Sequence, residues 1–183
     1  MYRLPLIKAE QSLSHGGVIA YPTETVFGLG CDPFCEPALA RLMILKGRRR
    51  HAGFILIGAS WDQLLAFVRE PSKEHMKQVR TKSTRPVTWV FDAEPGLPDL
   101  MYGPGHTLAL RVTTHPTAAA LCERVGPVVS TSANFHGEPP QRRYLQVVRH
   151  FSGLVDYIVP GDAGPHKQPS EIRDARTGKV IRS

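Results

Sequence analysis

Apolar runs of strand length alternate along this chain with segments of helical periodicity, and few folds accept that pattern. Helical spacing covers 4–15 and ends at Gly16-Gly17; a strand pattern follows at 17–21. In "EPALARLMILK", 36–46, Leu39, Leu42, Met43 and Lys46 recur at three-to-four spacing, and Pro37 suits a first turn. "FILIGA", 54–59, reads as a buried strand, and 61–68 and 72–82 as helices parted by Pro71. Strands are expected at 86–91, 107–112 and 127–133, helices at 115–125 and 142–151, and short strands at 154–159, 170–174 and 179–182. Such alternation predicts an α/β fold with one large mixed sheet, whose ligands sit at strand ends. The irregular loop 92–106 is long enough to suggest function.

With 183 residues, 42% of them hydrophobic, the chain can bury one substantial core, so a single domain over 1–183 is the expectation. The apolar runs are far too short to span a membrane, and the N-terminus lacks the pattern of a secretory signal. Three cysteines, Cys31, Cys35 and Cys122, do not make a disulfide framework, and no second Cys or His pair completes a zinc site around Cys31 and Cys35. A reduced, cytoplasmic protein with no side-chain metal site is expected. The net charge of +7 suggests an anionic partner, nucleic acid or nucleotide phosphate, against the plainer reading of a well-solvated surface.

Four polar clusters stand where strands or helices end. In "YPTETVFGLG", 21–30, an extended 22–26 would put Thr23 and Thr25 on one face and Glu24 on the other. The hydroxyls could bind a polar ligand and the carboxylate could brace a neighbouring loop, with Gly28 and Gly30 turning the chain away; a polar strand edge is the alternative. "KGRRRHAG", 46–53, offers Lys46 and Arg48 to phosphate, or is a solvated helix end. "VVSTSANFHG", 128–137, runs a buried strand into Ser130, Thr131, Ser132 and Asn134, which suit an anion cradle or a helix cap. In "PSEIRDARTG", 169–178, Ser170 and Arg173 could border a site or belong to a salt-bridged hairpin. There is no Walker-type phosphate loop, and neither a serine elbow nor a Cys/His pair argues for covalent catalysis.

Taken together and in this order, "YPTETVFGLG", Lys46-x-Arg48, "PVTWVF", "TLALRV" before His115-Pro116, "STSAN" and "PSEIRDARTG" resemble the YrdC/TsaC family, the threonylcarbamoyl-AMP synthases, in its short bacterial form. The similarity runs from about Gly17 to the C-terminus. It implies a large twisted sheet flanked by helices, with a basic concave face. It also implies a reaction: L-threonine, bicarbonate (or CO2) and ATP with Mg2+ give L-threonylcarbamoyl-AMP and pyrophosphate. A threonylcarbamoyl-transferase complex of TsaB/TsaD/TsaE type would then modify the adenosine beside the anticodon of tRNAs reading codons that begin with A.

By the same resemblance, Thr23 and Arg111 would bind L-threonine, Arg111 through its carboxylate. Lys46, Arg48, Thr107, Ser130, Ser132 and Asn134 would bind ATP, and Ser170 and Arg173 would belong to a closing segment. No residue is singled out as a general base. The chain departs from the family at Ser83-Thr84-Arg85, where Trp-Pro-Gly is usual, and at Arg49, where Pro is usual. The competing reading is a non-catalytic module that binds double-stranded RNA or tRNA, or serves ribosome maturation. Lys and Arg would serve it, but it has no use for the hydroxyl-and-amide loop at 130–134.

Overall fold

The computed structural model describes residues 3–47, 52–81 and 83–182. The elements run α1 (Arg3–Ser14), β1 (Ile19–Pro22), β2 (Phe27–Gly30), α2 (Glu36–Lys46), β3 (Ile55–Gly58), α3 (Trp61–Leu64), α4 (Lys73–Val79), β4 (Val87–Asp92), β5 (Thr107–Val112), α5 (Pro116–Val125), β6 (Val128–Ser132), α6 (Tyr144–Phe151), β7 (Tyr157–Ile158), β8 (Glu171–Asp174) and β9 (Val180–Arg182). The strands form one mixed sheet in the order β7-β1-β2-β6-β3-β5-β4-β8-β9. The expected α/β class with a large mixed sheet is therefore what the chain adopts.

Differences from the sequence expectations are local. The helix expected over 61–68 stops as α-helix at Leu64 and tightens into a 3-10 turn, Leu65–Phe67. The helix expected over 72–82 ends at Val79, and β7 keeps only two residues of 154–159. The largest correction concerns 21–30. Residues 23–26 are not extended: β1 and β2 form an antiparallel hairpin in which Pro22 pairs with Phe27. Gly28 and Gly30 do not turn the chain away but lie inside β2. Their surroundings, not a turn, account for them. A Cβ on Gly30 would collide with the Val129 carbonyl, and one on Gly28 would press on Ser130 Oγ at 3.3 Å.

Cross-strand partners share a face, so the registers sort the side chains. One face is closed by α2 and α3, which pack Leu39, Leu42 and Leu64 over Leu29, Leu56, Leu110 and Val129. On the other face α1 and α5 pack Leu6, Leu13, Ala118 and Leu121 over Ile19, Tyr21, Ile57 and Val128. Each fully buried side chain of this size contributes roughly 1.5–3 kcal/mol of transfer free energy. The two helices cover only part of their face. It continues through Gly28, paired with Ser132, and through Ile55, paired with Ser130, to Arg111, which pairs with Ile57. That uncovered part carries the polar residues.

Candidate functional site

A cavity of about 280 Å³ opens on this uncovered part of the sheet, lined among others by Thr23, Thr25, Arg111, Ser130, Ser132 and Ser170. They reach it from four places: the β1–β2 turn, β5, β6 and the residue before β8. The β1–β2 turn brings Thr23 and Thr25 in, because its tight closure replaces the extended run expected from sequence. Thr23 Oγ1 donates to the Val26 carbonyl at 2.7 Å, so the hydroxyl proton is used by the turn and the oxygen lone pairs are left to accept. Ser130 and Ser132 are two apart on β6 and so lie on one face. Ser170 precedes β8 and shares a buried hydrogen bond with Thr88, Oγ1 to Oγ 2.9 Å.

Glu24 does not line the cavity; it stands behind Arg111 and braces the loop after β5. Its Oε1 accepts from Thr113 Oγ1 at 2.6 Å, from the Thr114 N–H at 2.6 Å and from the His115 N–H at 3.3 Å. Its Oε2 lies 3.8 Å from Arg111 Nη2. Burial pushes the Glu24 carboxyl up, but the Arg111 charge and the bonds from Thr113 and Thr114 outweigh it and hold the group below the usual carboxylate range. Arg111 Nε is buried without a hydrogen-bond partner among the described residues, and Arg111 lines the cavity, so a polar ligand there would satisfy it. Thr131 Oγ1 is also without a partner, but Thr131 pairs with Leu29 and so lies on the α2 side of the sheet, opposite Ser130 and Ser132.

Behind Ser132, the end of α2 is tied to the β6 loop. The Lys46 ammonium, 6% exposed, donates to Ser132 O at 2.7 Å, Asn134 O at 2.6 Å and Asn134 Oδ1 at 2.6 Å. Ser132 Oγ also donates to Asn134 Oδ1 at 2.6 Å. Lys46 and Asn134 therefore border the cavity rather than line it. Thr107 shares the Arg111 face of β5 but sits at the far end of the strand, its Oγ1 on the Pro104 carbonyl at 3.0 Å. Arg173 is also outside the lining. It pairs with Glu171, and its guanidinium carbon lies 5.9 Å from the centre of the Trp89 ring. Arg85, at a departure from the family pattern, joins the same Glu171. Arg48 lies outside the described residues.

Sequence reading missed two arginines. Arg182 lines the cavity from β9, brought there by pairing with Ile172. Arg142 donates to the carbonyls of Thr25, His166 (2.7 Å) and Gly164 (2.8 Å), clamping loop 164–166 to the hairpin turn. Neither had a local signal, since both placements depend on contacts distant in sequence. The cysteines are free, and burial pushes the Cys122 thiol up to about 12, which leaves it inert near neutral pH.

Three comparisons bear on this site. Residues 11–183 match the family model of Sua5, YciO and YrdC, described as "Telomere recombination". A threonylcarbamoyl-AMP synthase of Nitrosococcus oceani is 47% identical over 175 residues, covering 95% of each chain. A threonylcarbamoyl-AMP synthase of Coxiella burnetii is 42% identical over 184 residues, covering 99% of this chain and 98% of the other. Among solved structures, P. abyssi Sua5 complexed with L-threonine superposes with a TM-score of 0.85 at 29% identity, over 93% of this chain. That match spans 50% of the P. abyssi chain, so this protein corresponds to about half of it. E. coli YciO superposes with a TM-score of 0.82 at 25% identity, over 100% of this chain and 90% of the other.

Proposed function

Because the chain belongs to the Sua5/YciO/YrdC family, we propose that it is an enzyme that makes L-threonylcarbamoyl-AMP from L-threonine, bicarbonate (or CO2) and ATP. The observation that carries this reading is the cavity itself: a buried arginine and several hydroxyls converge there from four separate segments of the chain. Near full-length relatives named threonylcarbamoyl-AMP synthase, and a structural neighbour that holds L-threonine, support it.

The residues suit the chemistry. Arg111 would hold the threonine carboxylate through parallel N–H···O bonds. The Thr23 oxygen, its own proton committed to Val26, would accept from the substrate amine. The amine nitrogen attacks the carbon of bicarbonate, water leaves, and a carbamate forms. A carbamate oxygen then attacks the α-phosphorus of ATP, and the bond to the β-phosphate oxygen breaks to release pyrophosphate. Positioning and charge supply most of the help such a transfer needs. Ser130, Ser132 and Asn134, backed by Lys46, would form the nucleotide side of the site, with Arg48 and Thr107 toward the phosphates and base. Ser170 and Arg173 would belong to the segment closing it, and Arg182 would add a cation.

Among the described residues no group of three or more His, Cys, Asp or Glu side chains could hold a metal ion. In this reading Mg2+ enters on the ATP phosphates as part of the substrate. No described helix is long and apolar enough to cross a membrane, and a cytoplasmic place beside tRNA is proposed. The product would pass to a threonylcarbamoyl-transferase complex of TsaB/TsaD/TsaE type, and the net charge of +7 would favour direct tRNA contact.

Incubation with ATP, radiolabelled bicarbonate and L-threonine tests the proposal. Threonine-dependent pyrophosphate release with label in an adenylate is expected. None from folded protein would return the argument to an RNA-binding module.

A further inference from the structure

The buried carboxylate beside Arg111 has a consequence for what the cavity admits. Glu24 and Arg111 are 4% and 6% exposed, and their charged atoms stand 3.8 Å apart. That separation is too long for a hydrogen bond, so Glu24 uses none of the guanidinium donors, yet it is close enough for strong Coulomb interaction in a dry site. The donors remain for a ligand, while much of the positive charge behind them is offset.

We propose that Glu24 is a specificity-determining residue that makes the Arg111 site select a zwitterionic amino acid over a simple carboxylate. The inference rests on the reading of Arg111 as the carboxylate grip. A carboxylate bound at Arg111 feels repulsion from Glu24. An α-amino acid carries its ammonium a few bonds from that carboxylate, and the ammonium is attracted by the same Glu24 charge. For the zwitterion the two effects largely cancel. For an acid without an amine only the repulsion is left. The bonds from Thr113 Oγ1 and the Thr114 and His115 N–H groups keep the carboxylate ionised and in place.

The test compares L-threonine with 3-hydroxybutanoate, its analogue lacking the amine, by calorimetric titration of the full chain. The wild type should bind threonine at least tenfold more tightly. In E24Q the side-chain carbonyl can still accept from Thr113 and Thr114, but the charge is gone. The ratio of the two affinities should fall at least fivefold, mainly because the analogue binds better. Thr113→Val loosens the brace and keeps the charge, so the ratio should stay within twofold of wild type. Equal weakening of both ligands in E24Q would overturn the proposal by reducing Glu24 to a structural role. Should E24Q not fold, equal binding of both ligands by the wild type would overturn it alone. Failure of the wild type to bind threonine at all would instead remove the functional reading, and this inference with it.

Discussion

Lys46 Nζ stands 2.6 Å from Asn134 Oδ1 and 2.7 Å from Ser132 O, so the C-terminal end of α2 and the loop after β6 form one unit. An ammonium this deep is held by oxygen acceptors on the very loop proposed to meet the nucleotide. Lys46→Met would leave the half-buried Ser132 and Asn134 oxygens short of a donor, at about 1 kcal/mol for each group left unsatisfied. Loss of threonine-dependent pyrophosphate release is expected, together with a lowered Tm. Full activity in Lys46→Met would remove the lysine from the nucleotide side of the site.

Arg111 offers a planar fork that lysine cannot reproduce. Arg111→Lys keeps the positive charge facing Glu24, so the fold should persist with a native circular dichroism spectrum. The loss of paired hydrogen bonds to a carboxylate should lower kcat/KM for L-threonine on the order of 100-fold, which corresponds to about 2.7 kcal/mol. The KM for ATP should move far less. An equal rise in both KM values would argue that the arginine shapes the cavity rather than gripping threonine.

Glu24 should make stability depend on acid. Its folded pKa lies below the unfolded value of about 4.3, so the ionised group stabilises the native state at neutral pH. That contribution is fully present above the unfolded value and is lost as pH falls through the lowered folded value. Urea unfolding of wild type and E24Q should differ by roughly 2 kcal/mol at pH 7. The gap should shrink steadily below about pH 4. A gap of constant size from pH 7 to pH 3 would contradict the account.

The two glycines of β2 should part company on substitution. Gly30→Ala drives a methyl into the Val129 carbonyl and within 2.9 Å of the Tyr21 ring, neither of which can yield cheaply. A loss above roughly 3 kcal/mol is expected, seen as a large drop in the urea midpoint. Gly28→Ala meets only side-chain atoms at 3.3–3.4 Å, of Ser130, Thr23 and Tyr21. It should fold, yet narrow the cavity between Thr23 and Ser130 and raise the KM for threonine.

Much of this molecule was legible because its signals are local. The three-to-four spacing of Leu39, Leu42 and Met43 predicts 36–46 as helix, and α2 spans Glu36–Lys46. "TLALRV" predicts 107–112, which β5 occupies. Clustered hydroxyls at the ends of apolar runs marked the segments that gather at the cavity. The Gly-rich "FGLG" misled, since its glycines signal a turn locally but answer a crowding between β2 and β6 that only pairing creates.

The alternation of periods, set by which faces must be buried, determined by itself an α/β chain with polar residues at its strand ends. Only the tertiary structure decided which of those residues meet. Arg111 faces Glu24 across a separation of 87 residues, and Arg182 arrives at the cavity through the pairing of β9 with β8. Arg173, one residue on from Ile172, falls on the opposite face from Ile172 and Arg182 because side chains alternate along a strand. Strand order and register depend on how distant apolar faces pack, and no window of sequence contains that information.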